Sequence, residues 1–197
     1  MNYITFDIET YSPSDLDKID IKEFRASVIG AFVSWLDDGK GAYIAFMEED
    51  VDEFLLLLQQ ADLIVGYNQI WFDLPVLQKY AKFDLLKLPN YDIILKLSAK
   101  IGNKLKLNDV CRANFDDDLK TDSYTTYRHY YKQGKWLELI DYCMNDVRLT
   151  EKLFRKILET KELNYYDLHI LKTVQMDAVE FGKTSNNNTD DEATMLM

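Results

Sequence analysis

Cysteine and histidine are scarce in this chain, with two cysteines, Cys111 and Cys143, and two histidines, His129 and His169, in 197 residues. The cysteines lie far apart and form no Cys-x-x-Cys pair, which argues against a disulfide framework and against a zinc ribbon. Two histidines are too few for a histidine-rich metal centre. Long apolar runs are missing as well. No window approaches the roughly 18 uninterrupted apolar residues of a membrane helix, and the amino terminus carries no charged-then-apolar signal pattern. A cytoplasmic protein with no membrane partner is expected. What the chain does have is an ordinary globular balance, 47% hydrophobic and 29% charged residues, and a length that suits about one domain with one sizeable core.

Basic residues are also few, 23 Lys and Arg against 34 Asp and Glu, for a net charge of -11. Phosphate binding is driven largely by Lys and Arg, so the total argues against a nucleic-acid partner. The distribution weakens that objection, because residues 1–75 hold 15 acids and 4 bases whereas residues 76–197 hold 19 of each. Between Val76 and Arg112 there are 8 bases and 3 acids. That segment could meet a phosphate backbone, or it could be the solvated faces of two helices.

Hydrophobic periodicity predicts a strand over Asn2–Thr10 (NYITFDIET), with Ile4, Phe6 and Ile8 on one face and Thr5, Asp7 and Glu9 on the other. Ser27–Leu36 and Gly41–Met47 read as two further strands joined by a turn at Asp37–Lys40, which makes an antiparallel meander. A helix over Asp50–Gln60, a buried strand over Ala61–Gly66, a helix over Ile70–Lys82 and a short strand near Leu88–Tyr91 follow. Asp92 could cap a helix running to Lys100. Strand, helix, strand in this order implies a parallel crossover. The expected fold is α/β, a mixed five-stranded sheet with helices on both faces. Leu107–Asn114 and Trp136–Thr160 are the remaining helices, the second with an inward stripe of Ile140, Cys143, Val147, Thr150, Phe154 and Ile157. A terminal strand is expected around Val174–Phe181. Residues 1–182 would then be one domain, and Lys183–Met197 a disordered tail whose Met195, Leu196 and Met197 are either a docking tag or a frayed end.

Asp7 and Glu9 end the first strand pointing the same way, so their charges repel unless the strand end is wet or a cation lies between them. Hard divalent ions such as magnesium want carboxylate oxygens held in this manner. Three further features stand where that strand would need help. Asn68 falls in the turn after the fourth strand, Asp73 at a helix start, and Tyr142 and Asp146 at i and i+4 on one face of the long helix. Taken singly these are a turn residue, a cap and two surface positions. Around Ser123–Trp136, Tyr124, Tyr127 and Tyr131 recur at helical spacing with Arg128, Lys132 and Lys135 among them. Such a segment could stack nucleobases or face a core.

In this order, FDIET, YNQIWFD and YCMNDV resemble the three motifs of the DEDD superfamily of 3′ to 5′ exonucleases, on a ribonuclease H-like fold, in its tyrosine-containing branch. The second motif, followed by Leu74 and Pro75, is similar to the exonuclease domain of family B DNA polymerases and to related stand-alone bacterial and phage exonucleases. The histidine branch is excluded, since His129 is followed at the required spacing by Gly134 and Asp146 is preceded there by Asp141. The resemblance spans roughly Tyr3 to Leu158. It implies that Asp7, Glu9 and Asp146 ligate one divalent ion, magnesium or manganese, and that Asp7 bridges to a second supported by Asp73. Tyr142 would orient the attacking water, while Asn68 and Thr10 would hold the terminal nucleotide. The implied substrate is a single-stranded DNA 3′ end. These motifs do not separate DNA from RNA, because sugar recognition depends on contacts to the 2′-hydroxyl. A non-catalytic binding or scaffold module with the same fold is the third reading. No polymerase region is expected to follow, so proofreading would require a protein partner in replication or repair, while repair, recombination or scavenging stay open as roles. The acidic Asp116–Asp118 loop and the tyrosine-rich segment have no counterpart in the family pattern and leave substrate preference open.

Overall fold

The computed structural model describes residues 2–12, 20–115 and 130–179. Tyr3–Tyr11 (β1), Arg25–Val33 (β2) and Ala42–Met47 (β3) pair antiparallel as the expected meander. The link from β2 to β3 turns through Asp37, Asp38, Gly39 and Gly41, all at positive φ. At Gly41 a Cβ would lie 2.1 Å from the Phe32 ring, so glycine is required there both by backbone angle and by space.

The chain then crosses over. Val51–Gln60 (α1) leads to Leu63–Gly66 (β4), parallel to β1, and Asp73–Leu77 (α2) leads towards Asn90–Asp92 (β5), parallel to β4. The sheet order is β3-β2-β1-β4-β5, with β1 at its centre. Val51, Phe54, Leu55 and Leu58 of α1 bury against Ile4, Phe6 and Ile8 on one face. Ile93–Ile101 (α3), Leu107–Asn114 (α4) and Trp136–Thr160 (α5) build the layer on the other, where Val110, Val147, Phe154 and Ile157 cluster with Tyr3, Val65 and Tyr91. Helices on both sides leave β1 no wet face, and Thr5 and Glu9 are buried along with the apolar residues.

The structure departs from expectation at three places. The helix expected over residues 70–82 is the five-residue α2, because the Gln78 side chain donates to Phe83 O and accepts from Leu85 N–H and so folds the chain back. The fifth strand lies at Asn90–Asp92 rather than at Leu88–Tyr91. In place of a terminal strand at 174–181, Glu162–Asp167 (β6) and Ile170–Gln175 (β7) form an antiparallel hairpin. Its two turn residues, Leu168 and His169, both have positive φ. That geometry usually announces itself as Asn-Gly, and here it does not. Asn114 of α4 holds the hairpin, donating to Asn164 O and accepting from Asn164 N–H, each at 2.8 Å. Asp116–Asp118, Tyr124, Tyr127, Arg128 and the tail from Lys183 lie outside the described residues.

Candidate active site

The site is built at the carboxyl half of β1, where its neighbour falls away. Pairing with β4 stops at Thr5–Val65, so the N–H of Ile8 has no strand to bond. The Asp73 side chain takes that place, with Oδ1 accepting the Ile8 N–H at 3.2 Å. Asp73 is 5% exposed, and this bond fastens it to the backbone between Asp7 and Glu9, whose side chains share one face of β1.

The fourth carboxylate arrives on α5, together with Tyr142. Between Tyr142 and Asp146, Cys143 reaches β1, and its Sγ lies 3.4 Å from Asp7 O and 4.0 Å from Asp7 Oδ2. So close an approach depends on Gly30, the residue paired with Asp7 across β1 and β2. A Cβ at Gly30 would stand 3.0 Å from Met144 Sδ and Val147 Cγ2 and 3.1 Å from Cys143 Sγ. Tyr142 is half-buried and packs with Val28, Leu139 and Cys143.

The four acids form one electrostatic unit. Burial first, then the charges of Asp73, Asp146 and Glu9, hold the Asp7 carboxyl well above the usual range. Burial, Asp146 and Asp73 do the same to Glu9. Burial pushes Asp73 up to about 7, with Asp92 adding to the rise and backbone N–H groups opposing it. Burial also pushes Asp146 up to about 6. A set like this is unfavourable as bare charges and becomes favourable when protons or cations join it. Its donors are all hard carboxylate oxygens, the type that magnesium and manganese take. Among the described residues no three His, Cys, Asp or Glu side chains are already disposed as a metal-holding cluster. The acids are thus neighbours in charge that do not yet converge on a common point.

Asn68 and Thr10 remain close through the backbone. Asn68, at φ 79, sits in the turn that leads from β4 to Asp73. Thr10 is buried immediately beyond Glu9, where the β1–β2 register shifts. Three positions that sequence reasoning did not place in the site contribute to its construction. Gly30 and Cys143 set the approach of α5. Asp92 caps α3 as expected, but its two oxygens also accept the N–H groups of Asn68 and Ile70 at 3.0 and 3.1 Å, clamping the turn. The signal available for Asp92 was an acid just after a short strand, which reads as a cap and nothing more.

The model of the RNase_H superfamily matches residues 4–158. Among solved structures 93 chains match. They include the family B DNA polymerase from the hyperthermophilic archaeon Pyrobaculum calidifontis, at 20% sequence identity and a TM-score of 0.60, over 80% of this chain and 24% of the polymerase chain. At that identity the likeness is one of fold, and this chain corresponds to about a quarter of the polymerase. No curated protein matches.

Proposed function

Because this chain belongs to the RNase_H superfamily, whose nucleases generally use divalent metal ions, we propose that it is a metal-dependent 3′ to 5′ exonuclease acting on single-stranded DNA. The observation that carries this reading is the gathering of Asp7 and Glu9 from β1, Asp73 from α2 and Asp146 from α5 into one mutually destabilising set. Asp7, Glu9 and Asp146 would hold one magnesium or manganese ion, and Asp7 with Asp73 a second. A pair of such ions, when bound, supplies activation of water and neutralisation of the leaving oxygen. The chain's own contributions are positional. The Ile8 N–H fixes Asp73, Gly30 admits α5, and Tyr142, one helical turn from Asp146, offers a hydroxyl that can align the water by hydrogen bonding. The 3′ polarity rests on the resemblance of the three motifs. DNA is favoured over RNA because a structural relative is a DNA polymerase, which also supports a partner in replication or repair.

Digestion of 5′-labelled single-stranded DNA and RNA oligomers with magnesium, manganese or EDTA tests this. Wild-type protein with metal gives a ladder shortening from the 3′ end of DNA, and both EDTA and Asp7→Ala abolish it. Equal cutting by wild type and Asp7→Ala, or indifference to EDTA, rules the reading out. Tyr142→Phe slows hydrolysis and leaves metal binding nearly unchanged; equal loss of both would make its role structural.

A further inference from the structure

A pocket of about 430 Å³ opens beside the far end of β1, lined by the aromatic rings of Tyr11, Tyr131 and Trp136 together with Met47, Glu48 and Glu49. Tyr131 and Trp136 belong to the tyrosine-rich stretch that the catalytic reading leaves without a role. Tyr11 and Tyr131 stack at 4.8 Å with 14° between their planes, and Trp136 meets Tyr131 edge-on at 5.5 Å. Trp136 is nevertheless 42% exposed, so ring surface is left for another planar group. The wall is held rigidly. Glu48 accepts hydrogen bonds from the Tyr11 and Tyr80 hydroxyls, each at 2.8 Å, and pairs with Arg25 at 2.6 Å.

We infer that this pocket takes a nucleobase of the strand being degraded, a few nucleotides inside the 3′ end. The inference rests on the exonuclease reading for the strand's direction, and on three observations for the pocket. The first is continuity. Ser27, which lines the pocket, donates its hydroxyl to the Glu9 carbonyl at 2.9 Å, and Tyr11 and Trp136 belong to the same strand and helix that carry Asp7, Tyr142 and Asp146. The second is distance. Because Cys143 touches Asp7 while Tyr131, close before α5, touches Tyr11, strand and helix run antiparallel past each other. From Asp7 to Tyr11 is about 13 Å of strand, and from Cys143 back to Trp136 about 10 Å of helix. Stacked nucleotides advance roughly 3.4 Å each, so the pocket falls about three or four nucleotides from the carboxylates. The third is chemistry. The Glu49 carboxylate at the pocket repels phosphate and offers an acceptor to the amino or imino edge of a base, while an aromatic wall binds any base by its π-face.

Binding is measured by fluorescence anisotropy with 5′-fluorescein-labelled hexadeoxycytidylate and with the labelled dinucleotide d(CpC), in EDTA so that nothing is cut. Trp136→Ala is expected to weaken hexamer binding roughly tenfold, Trp136→Phe to recover most of it, and both to bind the dinucleotide, which is too short to reach, as the wild type does. Unchanged hexamer binding in Trp136→Ala overturns the inference, as does an equal loss on the dinucleotide, which would mark a structural defect. A lysine-rich peptide that binds through Trp136 while the hexamer does not would also overturn it, in favour of a protein's cationic side chain. The two readings fail separately. A wild type that binds the hexamer through Trp136 but cuts no oligomer with either metal retains the pocket and loses the exonuclease. One that cuts while Trp136→Ala binds normally does the reverse.

Discussion

Asp7 touches every other acid of the site through its charge, and an isosteric change there separates two effects that an activity assay merges. In Asp7→Asn the repulsion is relieved without a cavity, so the metal-free protein should melt higher, by about 2–4 °C for each kcal/mol relieved. Magnesium should raise the melting temperature of the wild type and leave that of Asp7→Asn in place. A lower melting temperature in metal-free Asp7→Asn would mean that the carboxylate is needed structurally. Asp73 and Asp146 bring a pH dependence with a definite sign. Burial raises both in the folded protein, to about 7 and about 6, so between the ordinary carboxylate range of about 4 and those values the folded state holds more protons than the unfolded. Stability from this source is complete below about pH 4 and is lost as pH rises through about 6 to 7. Melts of metal-free protein between about pH 4.5 and 7.5 should therefore fall with pH, and saturating magnesium should flatten the fall; a rise with pH would contradict the assignment. The sequence singles out these acids by spacings that one element sets, Asp7 and Glu9 two apart on a strand, Asp73 at the start of a helix and Asp146 one turn from Tyr142. It does not single out Gly30 and Asp92, because each acts on residues brought to it by the fold, Gly30 on Met144 and Val147, Asp92 on the turn at Asn68.

The pairing of β1 with α5 decides whether the site exists. Besides Gly30, a buried polar contact fixes it: the Tyr3 hydroxyl donates to Glu151 of α5 at 3.1 Å, and Arg155 pairs with the same carboxylate. Tyr3 thus anchors one end of the helix to the strand while Cys143 meets it at the other. Gly30→Ala forces Val147 and Cys143 outward, and overpacking of this kind costs about 1–3 kcal/mol. The loss should appear in urea melts, with hydrolysis slowed further than stability alone accounts for, because Asp146 is carried away from Asp7. Full activity with full stability would show that the helix has room to spare. Element types and order were readable from periodicity, most clearly in α5, whose bounds matched. The β6–β7 hairpin was not, since a turn built from Leu168 and His169 lacks the Asn-Gly or Asp-Gly pair that marks a two-residue hairpin loop.

Across the whole molecule, the net negative charge lies in the first 75 residues, and several of the cations beyond them are engaged. Lys100 pairs with Asp177 and Arg112 with Asp109, while Lys79 donates to the carbonyls of Lys22 and Phe24. Cations tied up in this way give less to a phosphate backbone, which raises the share of affinity that base stacking carries. Raising salt from about 50 to 200 mM should then weaken oligonucleotide binding by less than about tenfold, whereas proteins with 6–10 phosphate contacts lose roughly a thousandfold or more. A steep salt dependence would mean that the basic segment from Val76 to Arg112 tracks the strand after all. The central place of β1 in the sheet also imposes a schedule. The meander can close as soon as β3 has been made, yet β1 must wait for β4, and its two acids must wait longer still for α5. Chains emerge from the ribosome amino end first and non-local contacts form late, so Asp7 and Glu9 spend most of synthesis without Tyr142 and Asp146. Hydrolytic capacity would be withheld from the growing polypeptide until α5 had docked.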